Sequence, residues 1–275
     1  MTKFFELLKR HPVLIGILAV GLAVLSTFIP QNSYFARFAI RVFMCGTMLF
    51  LVYLVSGEKT LSKGNYKTGY VIKSMMGLLI IAALMGAFNV WTKISRDGVA
   101  EGFMLRMLIL ALMFLAGCLF EELCFRAVLN DAIFYQFKNV KGVFVISAVV
   151  TSLVFGAVHV IGSPLTSALE WAQAGMKTLS SAVFGFALLI MYWKTRNIWA
   201  CGLVHAAYDF LTEVALAFGS EVSIGAGSYV AADATTAIAS IIVLGVNTLI
   251  GALITWHVWR KVGRTIDFEE LRRTW

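Results

Sequence analysis

Residues 103–125 read FMLRMLILALMFLAGCLFEELCF, an apolar run. Arg106 interrupts the run near its start, and the adjacent Glu121 and Glu122 lie near its end. A helix of that length spans about 34 Å, slightly more than the ~30 Å hydrocarbon core of a bilayer. Backbone polar groups inside lipid must be satisfied by the segment itself, and a helix achieves this. The run therefore predicts a transmembrane helix.

Seven further apolar runs lie along the chain. The eight predicted spans are roughly 12–30, 38–56, 71–91, 103–125, 143–162, 178–193, 198–218 and 234–258. Continuous runs favour helices over a β-barrel, whose strands would alternate. We predict an all-α fold, a polytopic membrane bundle of about eight transmembrane helices. It forms one domain over residues 1–275, with its polar motifs in a core of about 103–218.

The composition agrees with a membrane protein. Apolar residues make up 60% of the 275 and charged residues only 14%, whereas soluble proteins have roughly 25% charged residues. The net charge is +8, but the basic residues are spread among loops and form no stripe with aromatic neighbours. We therefore predict the lipid bilayer, and no nucleic acid, as a partner.

The distribution of basic residues predicts the orientation of the chain. With the N-terminus in the cytoplasm, fifteen Lys and Arg residues fall in cytoplasmic segments. Only Arg37, Lys93, Arg96 and Lys177 fall in outside segments. This asymmetry follows the positive-inside rule and places both termini in the cytoplasm. The 219–233 loop has no Lys or Arg and fits the opposite side.

Ionisable side chains inside a bilayer are costly and indicate a functional site. Arg41, Lys73 and Arg106 lie near span ends, and we interpret them as reaching the headgroups. The four cysteines lie in apolar spans without paired spacing, which favours packing roles. The remaining ionisable residues form a cluster within the spans: Glu121, Glu122, Arg126, His159, His205 and Asp209.

Helical spacing brings parts of this cluster together. Glu122 and Arg126 are four residues apart, so they can form an ion pair on one helix face. Glu121 is rotated by about 100° from Glu122, which allows it to face a cavity while its neighbour is paired. Two carboxylates in two environments commonly divide acid and base roles between them.

The depths of three cluster members predict where they meet. Glu121 precedes residue 140 by 19 positions and His159 follows it by 19, so a hairpin would place both at one level. His205 is about 13 Å into its span. The three meet only if the hairpin, with its Asn130–Asp131 pair, protrudes ~10–15 Å into the cytoplasm. The site would then lie in the membrane near its cytoplasmic face.

Three motifs in this cluster resemble those of a known family. Residues 121–126 read EExxxR, residues 155–159 read FxxxH, and residues 205–209 read HxxxD. In this order on successive membrane helices, they resemble the motifs of the CPBP (CaaX protease and bacteriocin-processing) intramembrane proteases. That family includes the type II CaaX prenyl endopeptidases. The resemblance covers about residues 117–210, and its specificity comes from the three motifs together.

The resemblance implies an intramembrane endopeptidase, which we expect to be a multi-pass protein of a prokaryotic cell membrane. It implies that Glu121 and His159 activate a water molecule, and that His205 and Asp209 stabilise the oxyanion. Glu122, Arg126 and Phe155 would be supporting residues. No cofactor is expected, and the substrate would be a peptide or protein reached from the membrane or the cytoplasm.

One position departs from the family pattern, because the prenyl-protease branch has Asn where this chain has Asp209. An ionised Asp would repel an oxyanion, so Asp209 must be protonated, orient His205 or bind a metal. A zinc-dependent protease with Glu121, His159, His205 and Asp209 as ligands is one alternative, although four protein ligands would close the site to water. A proton-coupled transporter or a non-catalytic scaffold is another, because such clusters also relay protons.

Overall fold

The computed structural model describes residues 7, 10–29, 34–62, 64, 66–163, 165–218, 230–231 and 233–274. Within these ranges every regular element is a helix and no strand occurs, so the predicted all-α class is confirmed. Most of the predicted 219–233 loop lies outside the described residues. Three lysines of the charge count, Lys3, Lys9 and Lys63, also lie outside them.

The helices are numbered along the described chain. The α-helices are α1 (Pro12–Thr27), α2 (Tyr34–Ser56), α3 (Thr68–Asp97), α4 (Phe103–Glu122), α5 (Asp131–Phe137), α6 (Val143–Val158), α7 (Ala168–Thr195), α8 (Ile198–Glu213), α9 (Ala234–Lys261) and α10 (Phe268–Thr274). A π-helix, Leu123–Asn130, joins α4 to α5. Short 3-10 helices are Gly57–Leu61, Val214–Phe218 and Gly263–Thr265.

Each of the eight predicted spans falls on an apolar helix, and the polytopic membrane bundle is confirmed. Six helical stretches are long and apolar enough to cross a membrane: Phe35–Leu61, Thr68–Asp97, Phe103–Phe137, Ala168–Thr195, Ile198–Phe218 and Ala234–Thr265. The helices α1 and α6 are apolar but have only 16 residues each, which is about 24 Å. The number of crossings and the side of each terminus therefore stay predictions.

The helical stretch from Phe103 to Phe137 changes from α-helical to π-helical hydrogen bonding within the EExxxR motif of residues 121–126. The α-helical part ends at Glu122, where the N–H of Leu123 is shared between the carbonyls of Leu119 and Phe120. The eight residues that follow are π-helical, and all are buried. Wider π turns inside α-helices often mark functional sites. The turn begins directly after the two glutamates and contains Arg126.

Glycines allow the motif-bearing helices to approach closely. Gly156 of α6 lies where any Cβ would collide with the Thr178 carbonyl of α7. Gly202 of α8 lies against α4, where an added Cβ would be 3.1 Å from Leu119 Cδ1. Small residues at such contacts are typical of packed membrane helices. These contacts pack α6 closely against α7 and α8 closely against α4.

The Asn130–Asp131 pair of the predicted hairpin between the fourth and fifth spans is buried within the protein, and the protrusion of the hairpin into the cytoplasm stays a prediction. Asn130 and Asp131 are fully buried, at 0% exposure. The helix α1 packs along the π-helix and α5, and Phe268 of α10 packs against Phe144. The pair can be buried because both side chains are hydrogen-bonded within the protein and neither needs water.

Asp131 is the centre of a hydrogen-bond network at this end of the bundle. Its carboxylate accepts hydrogen bonds from the Thr60 and Tyr192 hydroxyls, both at 2.9 Å. Arg196 donates two more, at 3.1 and 2.9 Å. Arg196 has a left-handed backbone (φ +51°), an uncommon conformation for a residue with a side chain. The network therefore ties the end of α7 to the start of α5 and to the 3-10 helix after α2.

We expect Asp131→Ala to lower the free energy of unfolding by about 2–3 kcal/mol, because Arg196 would lose its counter-ion in a mostly buried position. Unfolding of the detergent-solubilised chain measures this change. The matched control is Asp97→Ala, which removes two partly exposed ion pairs, with Lys93 and Arg96, and should lower the free energy of unfolding much less than Asp131→Ala does. A loss no larger than that of the control would show that the network does not stabilise the fold.

Candidate active site

The two adjacent glutamates at the end of α4 have different environments, as predicted. The Glu122 side chain is fully buried, at 0% exposure, whereas that of Glu121 is 22% exposed. Glu122 Oε1 forms an ion pair with Arg126 Nη1 at 3.1 Å, which confirms the predicted pairing. Glu121 faces away from that pair. One carboxylate is thus a structural group, and its neighbour is open to other partners.

Glu122 also accepts a hydrogen bond that its sequence spacing could not predict. Its Oε1 atom lies 2.9 Å from His205 Nδ1 of α8. Arg126 in turn donates from Nη2 to the Gly185 carbonyl of α7 at 3.0 Å and lies over the Phe155 ring at 4.3 Å. The Glu122–Arg126 pair therefore joins α4, α6, α7 and α8 in one buried cluster.

His205 presents its second nitrogen to two further carboxylates. Its Nε2 atom is 3.6 Å from Asp209 Oδ2 and 3.9 Å from Glu121 Oε2. The imidazole is 2% exposed, whereas the side chain of Asp209 is 33% exposed. Because Nδ1 is engaged by Glu122, only Nε2 is available for chemistry. The structure thus brings together the predicted residues Glu121, His205 and Asp209.

His159 lies directly after α6, with its ring partly exposed. Its Nδ1 atom is 2.7 Å from the Phe155 carbonyl. A carbonyl only accepts, so Nδ1 must donate, and a neutral ring then has its lone pair on Nε2. His159 is within electrostatic range of Glu121. Among the described residues, however, no ion pair of 4.0 Å or less joins it to Glu121, so the two are near but not in direct contact.

Phe155 separates the two histidines. Its ring makes edge contacts with His159 at 4.8 Å and with His205 at 5.8 Å between centroids. The residue is 1% exposed. An added Cβ on Gly185 would lie 2.7 Å from the same ring, so glycine is needed there for the ring to fit. Phe155 is therefore a packing residue that sets the distance between the imidazoles.

Arg41 belongs to the site, so its interpretation as a headgroup-facing side chain was wrong. Its Nη1 atom lies 3.6 Å from Glu121 Oε1, and both side chains are partly exposed. Gly117 lies beneath the guanidinium, where an added Cβ would be 3.2 Å from Nη1. No spacing rule in the sequence links α2 to α4.

Cys118 also lies in the site, and interpreting it only as a packing residue was wrong. Its thiol donates a hydrogen bond to Asp209 Oδ2 at 3.3 Å, and the residue is 2% exposed. Cys118 precedes Glu121 by three positions, which places both on one helix face. That spacing was the signal for Cys118 in the sequence.

The charge count placed Lys177 in an outside segment before the sixth predicted span. In the structure, Lys177 lies within the helix α7. The helix begins at Ala168, earlier than predicted, because Ser167 and Glu170 form a capping box. Lys177 is consequently within electrostatic range of Asp209.

Three side chains present metal-ligating atoms at short mutual distances. The group is Cys118, His205 and Asp209, whose ligand atoms all lie within 4.8 Å of one another. It shares His205 and Asp209 with the ligand set predicted for zinc. Use of zinc in the reaction stays a prediction.

Fold and site together define a membrane-embedded helical bundle with a centre of carboxylates and imidazoles. The model of one protein family, described as type II CAAX prenyl endopeptidase Rce1-like, matches residues 102–211. The resemblance predicted from the three motifs is thereby confirmed for this segment, which is similar to the type II CAAX prenyl endopeptidases. At a coarse level, the match and the apolar helices support a multi-pass membrane peptidase. No curated protein and no solved structure matches the chain.

We expect Arg126→Ala to lower the free energy of unfolding by about 3 kcal/mol, because Glu122 would become a buried charge without its cation. Folded yield and unfolding in detergent measure the loss. Arg41→Ala is the matched control at the same site, since its pair with Glu121 is 37% and 22% exposed. Its effect should stay below about 1 kcal/mol. Similar losses for both arginines would contradict the different burial of the two pairs.

Proposed function

We propose that this protein is an intramembrane endopeptidase that hydrolyses peptide bonds with a water molecule activated by Glu121 and His159. The observation that supports it most is the approach of Glu121 Oε2 to His205 Nε2, at 3.9 Å. Both residues lie within the segment that matches the CaaX-protease family. A membrane site that combines a carboxylate base with imidazoles has the groups that water activation requires.

The water would lie between Glu121 and His159. Within the described chain, Glu121 Oε2 is buried and has no hydrogen-bond partner, so a water molecule enclosed in the site would supply one. His159 presents the lone pair of Nε2 because Nδ1 donates to the Phe155 carbonyl. Glu121 takes a proton as the water oxygen attacks the carbonyl carbon, and the proton then passes to the leaving amine. A water-bridged pair suits two residues that are near without direct contact.

His205 would stabilise the oxyanion of the tetrahedral intermediate. Its Nδ1 atom donates to Glu122, so donation from Nε2 as well requires the imidazolium form. Glu121, Glu122 and Asp209 surround the ring and complement that positive charge. A preorganised charged donor of this kind stabilises developing negative charge effectively in a water-poor site.

Asp209 would orient its neighbours instead of contacting the oxyanion. Its Oδ2 atom accepts from the Cys118 thiol at 3.3 Å and lies 3.6 Å from His205 Nε2. An ionised carboxylate can fix both groups, although it would repel an oxyanion placed against it. This role accounts for an acid where the prenyl-protease branch has an amide.

The peptide would enter from the membrane or the cytoplasm. The side chains of Glu121 and Asp209 are 22% and 33% exposed, so the site is not sealed within the bundle. With the predicted orientation, the opening lies toward the cytoplasmic half of a prokaryotic cell membrane. The family description names CAAX prenyl endopeptidases, so a farnesylated CaaX peptide is the first probe, beside peptides released from native membranes.

We expect Glu121→Gln and His159→Ala each to lower cleavage at least ~100-fold, since each removes a group that activates water. Mass spectrometry of released peptides measures cleavage in membranes that contain each variant. Glu101→Gln, a change at an exposed position before α4, is the matched control and should cleave normally. Normal cleavage by the Glu121 or the His159 variant, with folding intact, would remove the mechanism. A transporter or scaffold would show no peptide release that depends on Glu121.

We expect a membrane-permeant zinc chelator not to lower cleavage, because the proposed base and oxyanion donor are side chains. Initial rates with and without the chelator measure this. Complete inhibition that added zinc reverses would favour the zinc-dependent alternative, in which the metal activates the water.

A further inference from the structure

We propose that Cys118, His205 and Asp209 form a binding site for a thiophilic divalent cation such as Zn²⁺, with Glu121 as the fourth ligand. Cys118 lies on α4, and His205 and Asp209 lie on α8. Cys118 and His205 are buried, whereas Asp209 is partly buried. The proposal adds Cys118 to the functional residues and gives the site a ligand that hydrolysis itself does not require.

The distances between the ligand atoms fit tetrahedral zinc. Bonds of about 2.0–2.3 Å place tetrahedral ligand atoms roughly 3.3–3.8 Å apart. Cys118 Sγ lies 3.3 Å from Asp209 Oδ2, and His205 Nε2 lies 3.6 Å from the same oxygen. All the ligand atoms of the group are within 4.8 Å of one another.

His205 is already oriented as a metal ligand. Its Nδ1 atom contacts Glu122 Oε1 at 2.9 Å, and Glu122 is held by Arg126 at 3.1 Å. A carboxylate on the distal nitrogen fixes the ring and leaves the other nitrogen facing the cation, as in many zinc sites. Both supporting residues are buried, at 0% and 2% exposure. The outer shell of the site is therefore in place without a cation.

Glu121 supplies an independent indication of a ligand. Its Oε2 atom is 3.9 Å from His205 Nε2, although Glu121 lies outside the group of three whose ligand atoms are all within 4.8 Å of one another. In the part of the chain that the structure describes, this oxygen is inaccessible to solvent and has no hydrogen-bond partner. A buried polar atom normally has a partner, and a cation would supply one.

The donor set selects the kind of cation. A thiolate, an imidazole and carboxylates together suit zinc and similar transition metals, whereas magnesium and calcium take oxygen ligands. Cys118 is the residue that favours zinc over magnesium and calcium. Cys124, six residues later on the π-helix, lies outside the group and is equally buried.

Cation binding would inhibit the peptidase, a consequence that rests on the proposed function. His205 Nε2 cannot ligate a metal and donate to an oxyanion at the same time. Glu121 cannot ligate a metal and accept a proton from water. Four protein ligands also leave no open position for a water molecule, unlike catalytic zinc sites with three.

The direct test is a Co²⁺ titration of the purified full-length chain after treatment with a chelator and its removal. We expect one equivalent to bind, with visible bands typical of tetrahedral cobalt and a near-ultraviolet charge-transfer band from the thiolate. Cys118→Ser should lose the charge-transfer band and weaken binding at least ~10-fold, since it removes a thiolate ligand. Cys124→Ser is the matched control and should bind as the native chain does.

Asp209→Asn provides a second variant, should Cys118→Ser fail to fold, and it should also weaken binding. Absence of stoichiometric cobalt binding, or an unchanged charge-transfer band in Cys118→Ser, would overturn the site. Zinc should inhibit peptide release by the native chain and the Cys124 variant more strongly than by the Cys118 variant. Cobalt binding without any peptide release would refute the proposed function alone. Peptide release without cobalt binding would refute the cation site alone.

Discussion

The buried carboxylate of Glu122 is the group on which the rest of the site depends. One oxygen accepts both the Arg126 guanidinium and the His205 imidazole, at 3.1 and 2.9 Å. A buried carboxylate without such partners would be strongly destabilising, so the arrangement must form as a unit. Arg126 then contacts the Phe155 ring and the Gly185 carbonyl. Through these contacts a single ion pair fixes the relative positions of four helices and the direction in which His205 Nε2 points.

The two proposals use His205 Nε2 in different ways, and the two uses exclude each other. As a protonated donor it can stabilise an oxyanion, and as a lone pair it can ligate a thiophilic cation. Asp209 and Glu121 approach it at 3.6 and 3.9 Å and can take part in either arrangement. Cys118 distinguishes them, because a thiol has no necessary part in the hydrolysis but is a strong zinc ligand as a thiolate. The carboxylate of Asp209 is a better ligand for such a cation than an amide would be.

A second polar network fixes the opposite end of the motif segment. Asp131 follows the π-helix directly and accepts hydrogen bonds from residues of three different segments. The segment from Glu122 to Asp131 is thus held at both ends by buried ion pairs, each to an arginine. Apolar packing alone tolerates sliding of helices along one another, whereas paired charges permit one register. This explains how an apolar bundle holds the groups of the candidate site in fixed positions.

The sequence by itself determined the class of fold, the apolar spans and the motif residues. Those properties depend on local composition and helical spacing, as the Glu122–Arg126 pair shows. The structure decided the partners from distant segments: His205 on Glu122, Arg41 on Glu121, and the burial of Asn130 and Asp131. Helical periodicity in the sequence cannot predict these contacts, because each depends on how separate helices pack in three dimensions. The π-helix after Glu122 was also decided by the tertiary structure. The local residues alone are equally compatible with an α-helix, so the sequence could not predict the wider turn.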